Sequence, residues 1–190
     1  MSINKVRIPA YLHEIFGREQ SVIAIITILT FGTACAAVLF SIYPSIHEEL
    51  PLWRSLFAYL LVFDVLCGCI ANFTRSTSDY YAAHPRKRLL FIFVHVHILL
   101  IAALLEAPML DSVLVWLYTA ACALFINAQR GSRQLMLGGV LLATGLVWIP
   151  MQQGGGPFMT IVSQLFMLKV VFSFAVDHYG GRDFVHTSGD

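Results

Sequence analysis

Long apolar runs separated by short polar joints set the pattern of this chain. A helix rises ~1.5 Å per residue, so about 20 apolar residues are needed to cross a ~30 Å hydrocarbon layer. Six runs approach that length: 21–43, 52–73, 89–105, 110–128, 134–149 and 158–176. The joints between them carry turn formers and charge, as in "YPSIHEELP", "HPRKR" and "QQGGGP", or a proline such as Pro108 or Pro150. Backbone amides in lipid find no water, so spanning segments must be helices or closed barrels. The expected fold is therefore all-α, a polytopic membrane protein with six transmembrane helices in a single domain over 1–190. Ahead of the first run, residues 8–19 place Tyr11, Leu12, Ile15 and Phe16 at helical spacing opposite His13, Glu14 and Arg18. That pattern fits an interfacial helix or an ordinary pre-membrane flank.

Composition agrees with the pattern. A hydrophobic content of 58%, a charged content of 12% and a mean hydropathy of +0.75 lie outside the range of soluble globular chains. The formal net charge of +1 conceals an uneven distribution. Lys5, Arg7, Arg18, Arg75, Arg86, Lys87, Arg88, Arg130, Arg133 and Arg182 fall on one side of the predicted spans, and Arg54 alone on the other. The second side carries Glu48, Glu49, Glu106 and Asp111 instead. The excess of Lys and Arg marks the cytoplasmic face, which predicts both termini in the cytoplasm. Charge therefore reports topology and gives no reason to expect nucleic acid. Short loops and a small chain suit a bacterial inner membrane, with the lipid bilayer as the immediate partner. The first apolar run exceeds a signal-peptide core and is followed by further spans, so it is expected to be retained.

Cys35, Cys67, Cys69 and Cys122 all fall inside apolar runs, where they read as packing residues. Cys67-Gly68-Cys69 lacks the second ligand pair of a structural zinc site. No Gly-rich phosphate loop, nucleophile elbow or HExxH signature is present.

Chemistry is expected from the ionisable residues inside the spans, which are expensive in lipid unless they face protein or water. Asp64 lies midway along the second run, His95 and His97 lie in the third, and Lys169 lies near the middle of the last. An acid, imidazoles and an amine thus share one level of the membrane. Asp64 shares its helical face with Cys67, Gly68 and Ala71, small residues that permit close helix approach. A regular helix would turn His95 and His97 about 200° apart. On that geometry His95 points into the bundle with Ala102 and Glu106. His97 falls on a stripe with Leu90, Phe93, Val94, Ile101 and Leu104, against another helix or a partner subunit. A second polar cluster at the cytoplasmic end contains Asn72, Asp177 and His178, with Gly180 and Gly181 placed to cap the last helix.

Three kinds of function fit these residues. One is a proton-linked transporter or channel-like protein using Asp64, His95, Lys169 and His97 as proton relay or substrate contacts, since imidazole titrates near neutral pH. Six short spans enclose little room, so this reading implies a homo-oligomer or a larger membrane partner. Another is a membrane-embedded hydrolase acting on a lipid, with a divalent metal held by His95, Asp64 and His178. The third is an accessory subunit of a larger complex, for which Gly32, Gly138, Gly139 and Gly145 would allow close helix contacts.

Overall fold

The structure is a computed structural model that describes residues 5–152 and 154–179. The chain opens with two short antiparallel strands, β1 (Lys5–Arg7) and β2 (Glu19–Ser21), paired Lys5 to Ser21 and Arg7 to Glu19. Between them lie a 3-10 turn (Ala10–Leu12) and a single α-turn, α1 (His13–Phe16). Helix therefore covers 10–16 and not 8–19, because Pro9 and Gly17 bound it and the flanking residues pair as strands. Gly17 has φ +74, and a Cβ there would collide with Ser76, so the tight turn against the next layer depends on glycine.

Among the described residues, six helices are long and apolar enough to cross a membrane. The first is α2 (Val22–Ile42), opened by Ser21, whose hydroxyl accepts from the Ala24 amide at 3.1 Å. A short α3 (Ser45–Glu48) leads to α4 (Leu52–Ala71). A short helix, α5 (Arg75–Ala82), is capped by Thr74. The third span is split into α6 (Pro85–Val94) and α7 (His97–Leu104). Then come α8 (Met109–Asn127), α9 (Gly131–Trp148) and α10 (Gly156–Met167), the last continuing as a π-helical segment over Leu168–Phe174.

Burial ranks the spans. In the last span 61% of the apolar window is buried, against 17% in α2, so α10 and its π-helical extension form the axis of the bundle and α2 lies at its edge. Residues of α2 such as Ile23, Ile26 and Val38 remain exposed on its outer face. Side chains moving from lipid into protein gain little hydrophobic free energy, so close contact has to supply the association. Gly32 provides it between α2 and α4, where a Cβ would strike Cys67 Sγ. Gly145 admits Met167, and Gly138 admits Val176. These small residues serve contacts within one chain, while Gly139 has open space beside it. All four cysteines are free; Cys69 Sγ lies 3.2 Å from the Leu165 carbonyl.

The end of α7 is held from a distance. Arg54 donates through Nε to the Leu104 carbonyl at 2.7 Å and through Nη2 to the Ala103 carbonyl at 2.8 Å, and it pairs with Glu106. Glu106 has φ 56, a left-handed turn that lets the Ala107 amide reach back to the Ala102 carbonyl at 2.9 Å.

Candidate functional site

A break in the third span builds the site. His95 has φ −73 and ψ 66, an inverse γ-turn in which the Val96 amide donates to the Val94 carbonyl at 2.7 Å. Val96 (φ −92, ψ 13) then starts a new helix at His97. The interruption removes the regular rotation between the two histidines. Their ring centroids lie 5.0 Å apart, and both rings face Asp64 of α4. His97 does lie against another helix, but the expected separation of the two rings does not hold: His97 Nε2 lies 3.3 Å from Asp64 Oδ2. His95 remains on the interior side, 8% exposed.

Lys169 reaches the same carboxylate from the bundle axis. Its Nζ lies 2.6 Å from Asp64 Oδ2 and 3.4 Å from the Asp64 backbone carbonyl. The amine can do this because Gly68 leaves its flank bare; a Cβ there would occupy the space of Lys169 Cδ and Nζ, each 2.8 Å away. The π-helical turn that carries Lys169 widens the backbone ladder, and Asn72 Nδ2 donates to the Lys169 carbonyl at 3.5 Å. Asp64, His95 and Lys169 thus meet, and His97 joins them.

A hydrogen bond fixes which nitrogen of His95 is free. His95 Nδ1 lies 2.6 Å from the Phe91 carbonyl, which can only accept, so Nδ1 carries the proton and Nε2 keeps a lone pair. The ring also stacks on Phe91, with centroids 3.6 Å apart. His97 Nε2 faces a carboxylate, while its Nδ1 is buried without a hydrogen-bond partner among the described residues. One ligand atom from each of Asp64, His95 and His97 lies within 4.8 Å of the others.

These groups head a cleft of about 240 Å³ that runs to Glu14 and Lys87 near the N-terminal hairpin. Asp64 keeps 43% of its side chain exposed and lines this cleft, whereas the Lys169 side chain is 4% exposed. At the far end Lys87 Nζ pairs with Glu14 Oε1 at 2.9 Å and donates to Tyr80 Oη at 2.7 Å. The Tyr81 hydroxyl donates to the Glu14 carbonyl at 3.0 Å; burial pushes this phenol above its usual range, so it stays a donor.

The second predicted cluster is divided between two clefts: Asn72 lines the one that holds Asp64, and Asp177 and His178 line another. Asn72 joins the Lys169 backbone, the Asp177 amide donates to Gln134 Oε1 at 2.9 Å, and His178 Nε2 donates to the Phe172 carbonyl at 2.9 Å. His178 packs against Phe73 and Phe172 and takes no part in the group around Asp64, so the expected metal set of His95, Asp64 and His178 is replaced by one containing His97. Gly180 and Gly181 lie outside the described residues. Sequence reasoning grouped His97 with Asp64, His95 and Lys169 and placed Gly68 on the Asp64 face, but missed the helix break that turns both rings to one carboxylate and the passage of Lys169 across Gly68; the one local signal was the run Val94-His95-Val96-His97, residues of modest helix propensity, with no proline or glycine to mark a break.

Fold and site together define a helical chain with six membrane-length apolar helices and a carboxylate shared by an ammonium and an imidazole. Comparison with protein-family models, with curated proteins and with solved structures finds no match.

Proposed function

We propose that the protein is a proton-linked transporter whose substrate site is the Asp64, Lys169, His97 and His95 centre. The observation that carries this reading is the interrupted helix at His95 and Val96, which aims two imidazoles at an ion pair at the head of a cleft. Broken spans with charged groups beside them are how helical transporters build substrate sites, because irregular backbone at membrane depth persists only where it is buried in protein or lines a cavity. Asp64 is the exchangeable centre. With Lys169 on one side and His97 on the other, a ligand that displaces either partner changes the charge held at the carboxylate.

The Lys and Arg asymmetry supports cytoplasmic termini. On that topology the Glu14 and Lys87 end of the cleft opens toward the cytoplasm. The membrane would be a bacterial plasma membrane.

The test is proton flux in sealed proteoliposomes carrying a pH-sensitive dye. Asp64→Asn, His95→Ala and Lys169→Met, each checked for a monodisperse folded state, are expected to abolish pH-dependent flux. Normal flux in all three rules the centre out as the transport path.

A further inference from the structure

We propose, resting on the transport reading above, that Asp64, His95 and His97 bind a divalent transition-metal ion as the substrate of the centre, and that Lys169 is its built-in competitor for the carboxylate. Two imidazoles and one carboxylate are a donor set for Zn²⁺ and its first-row neighbours, whereas Mg²⁺ and Ca²⁺ prefer oxygen alone.

Two features beyond the clustering point to a ligand. The first is the support of His95. A metal-binding histidine is commonly oriented by an N–H bond from its other nitrogen to a backbone carbonyl, and His95 Nδ1 makes that bond to Phe91 at 2.6 Å. Its Nε2 lone pair is left available. The second is the buried, unpartnered Nδ1 of His97, which is a polar atom with nothing to satisfy it among the described residues. The helix break is what brings both rings to Asp64.

The donor atoms lie within 4.8 Å of one another, and tetrahedral ligands at ~2.1 Å from a metal sit roughly 3.4 Å apart. Contraction by about 1.4 Å is within the reach of side-chain rotation once Lys169 lets go of Asp64. Lys169 therefore holds the carboxylate when no metal is bound, and a metal must displace the ammonium. Entry is provided by the cleft that Asp64, His95 and His97 line.

The experiment is equilibrium dialysis of the purified full chain in detergent or nanodiscs with Zn²⁺, and with Co²⁺ as a spectroscopic probe of coordination. Mg²⁺ and Ca²⁺ serve as controls. One Zn²⁺ per chain is expected, with binding weakened roughly 10-fold or more in His95→Gln and in His97→Gln. Lys169→Met should tighten binding on the order of tenfold, because a competitor is removed. A purely structural lysine would give the opposite sign. Gly68→Ala, which crowds Lys169 without touching a ligand, should tighten binding in the same direction.

Absence of stoichiometric Zn²⁺ in both the native chain and Lys169→Met overturns the metal assignment. Weakened binding in a folded Lys169→Met overturns the competition. If no metal binds yet proteoliposomes retain a proton flux that Asp64→Asn removes, the metal assignment fails alone. Stoichiometric binding that the histidine variants weaken, without Zn²⁺ uptake into sealed vesicles, supports the metal site and defeats the transport reading.

Discussion

Lys169 crosses the bare flank of Gly68 to place its ammonium 2.6 Å from Asp64 Oδ2. The amine is 4% exposed and the carboxylate 43%, so the pair is lopsided: breaking it strands Lys169 in the bundle more severely than it strands Asp64. Removing one partner of a fully buried pair costs about 3–5 kcal/mol. Asp64→Asn leaves the buried amine unpaired and is expected to approach that range. Lys169→Met leaves a partly open carboxylate and should cost roughly half as much. Thermal unfolding in detergent orders the two, and equal losses would contradict the asymmetry.

Gly68→Ala should reproduce Lys169→Met in direction. The added methyl meets the far end of a flexible side chain, so the helix survives while the ammonium is pushed from Asp64. Gly139→Ala is the control, since nothing lies within 4 Å of the added Cβ and the change should be neutral to mildly stabilising, by about 0.5–1 kcal/mol. Flux and unfolding measured on both variants decide the matter.

His95 is expected as the Nδ1–H tautomer, held by the Phe91 carbonyl. Nitrogen chemical shifts of labelled histidine, assigned by comparison with His95→Gln, read this directly. An Nε2–H signal for His95 would remove the free lone pair that any ligand of the centre needs.

Arg54 fastens the end of α7 through the Ala103 and Leu104 carbonyls and through Glu106. Its side chain is 18% exposed, so Arg54→Leu should lower stability by about 2 kcal/mol, the range for losing charged hydrogen bonds. Glu106→Gln removes only the exposed partner and should cost under about 1 kcal/mol. Paired melting curves separate the two contributions.

Glu14 and Lys87 pair at the end of the cleft away from Asp64, and Cys67 lines its wall. Glu14→Gln is expected to speed maleimide labelling of Cys67, with Tyr81→Phe adding to the effect by freeing the Glu14 carbonyl. Unchanged labelling kinetics would show that the N-terminal segment does not limit access.

The run lengths alone specified six apolar helices, because backbone amides in lipid allow few alternatives and side-chain hydropathy is a local property. Asp64, His95 and Lys169 could be picked out by cost, since each is an ionisable group in an apolar run. Whether they met was a matter of rotation, and rotation accumulates through every residue of a helix. A single γ-turn at His95 turned His97 from its regular-helix stripe to the carboxylate that His95 also faces, and a π-helical turn set the approach of Lys169. Neither irregularity has a strong local signature, because each is tied to contacts from elsewhere: Asp64 of α4 beside His97, Asn72 on the Lys169 carbonyl, and Gly68 yielding space. Tertiary packing decided the site, and sequence pattern decided the depth at which it could form.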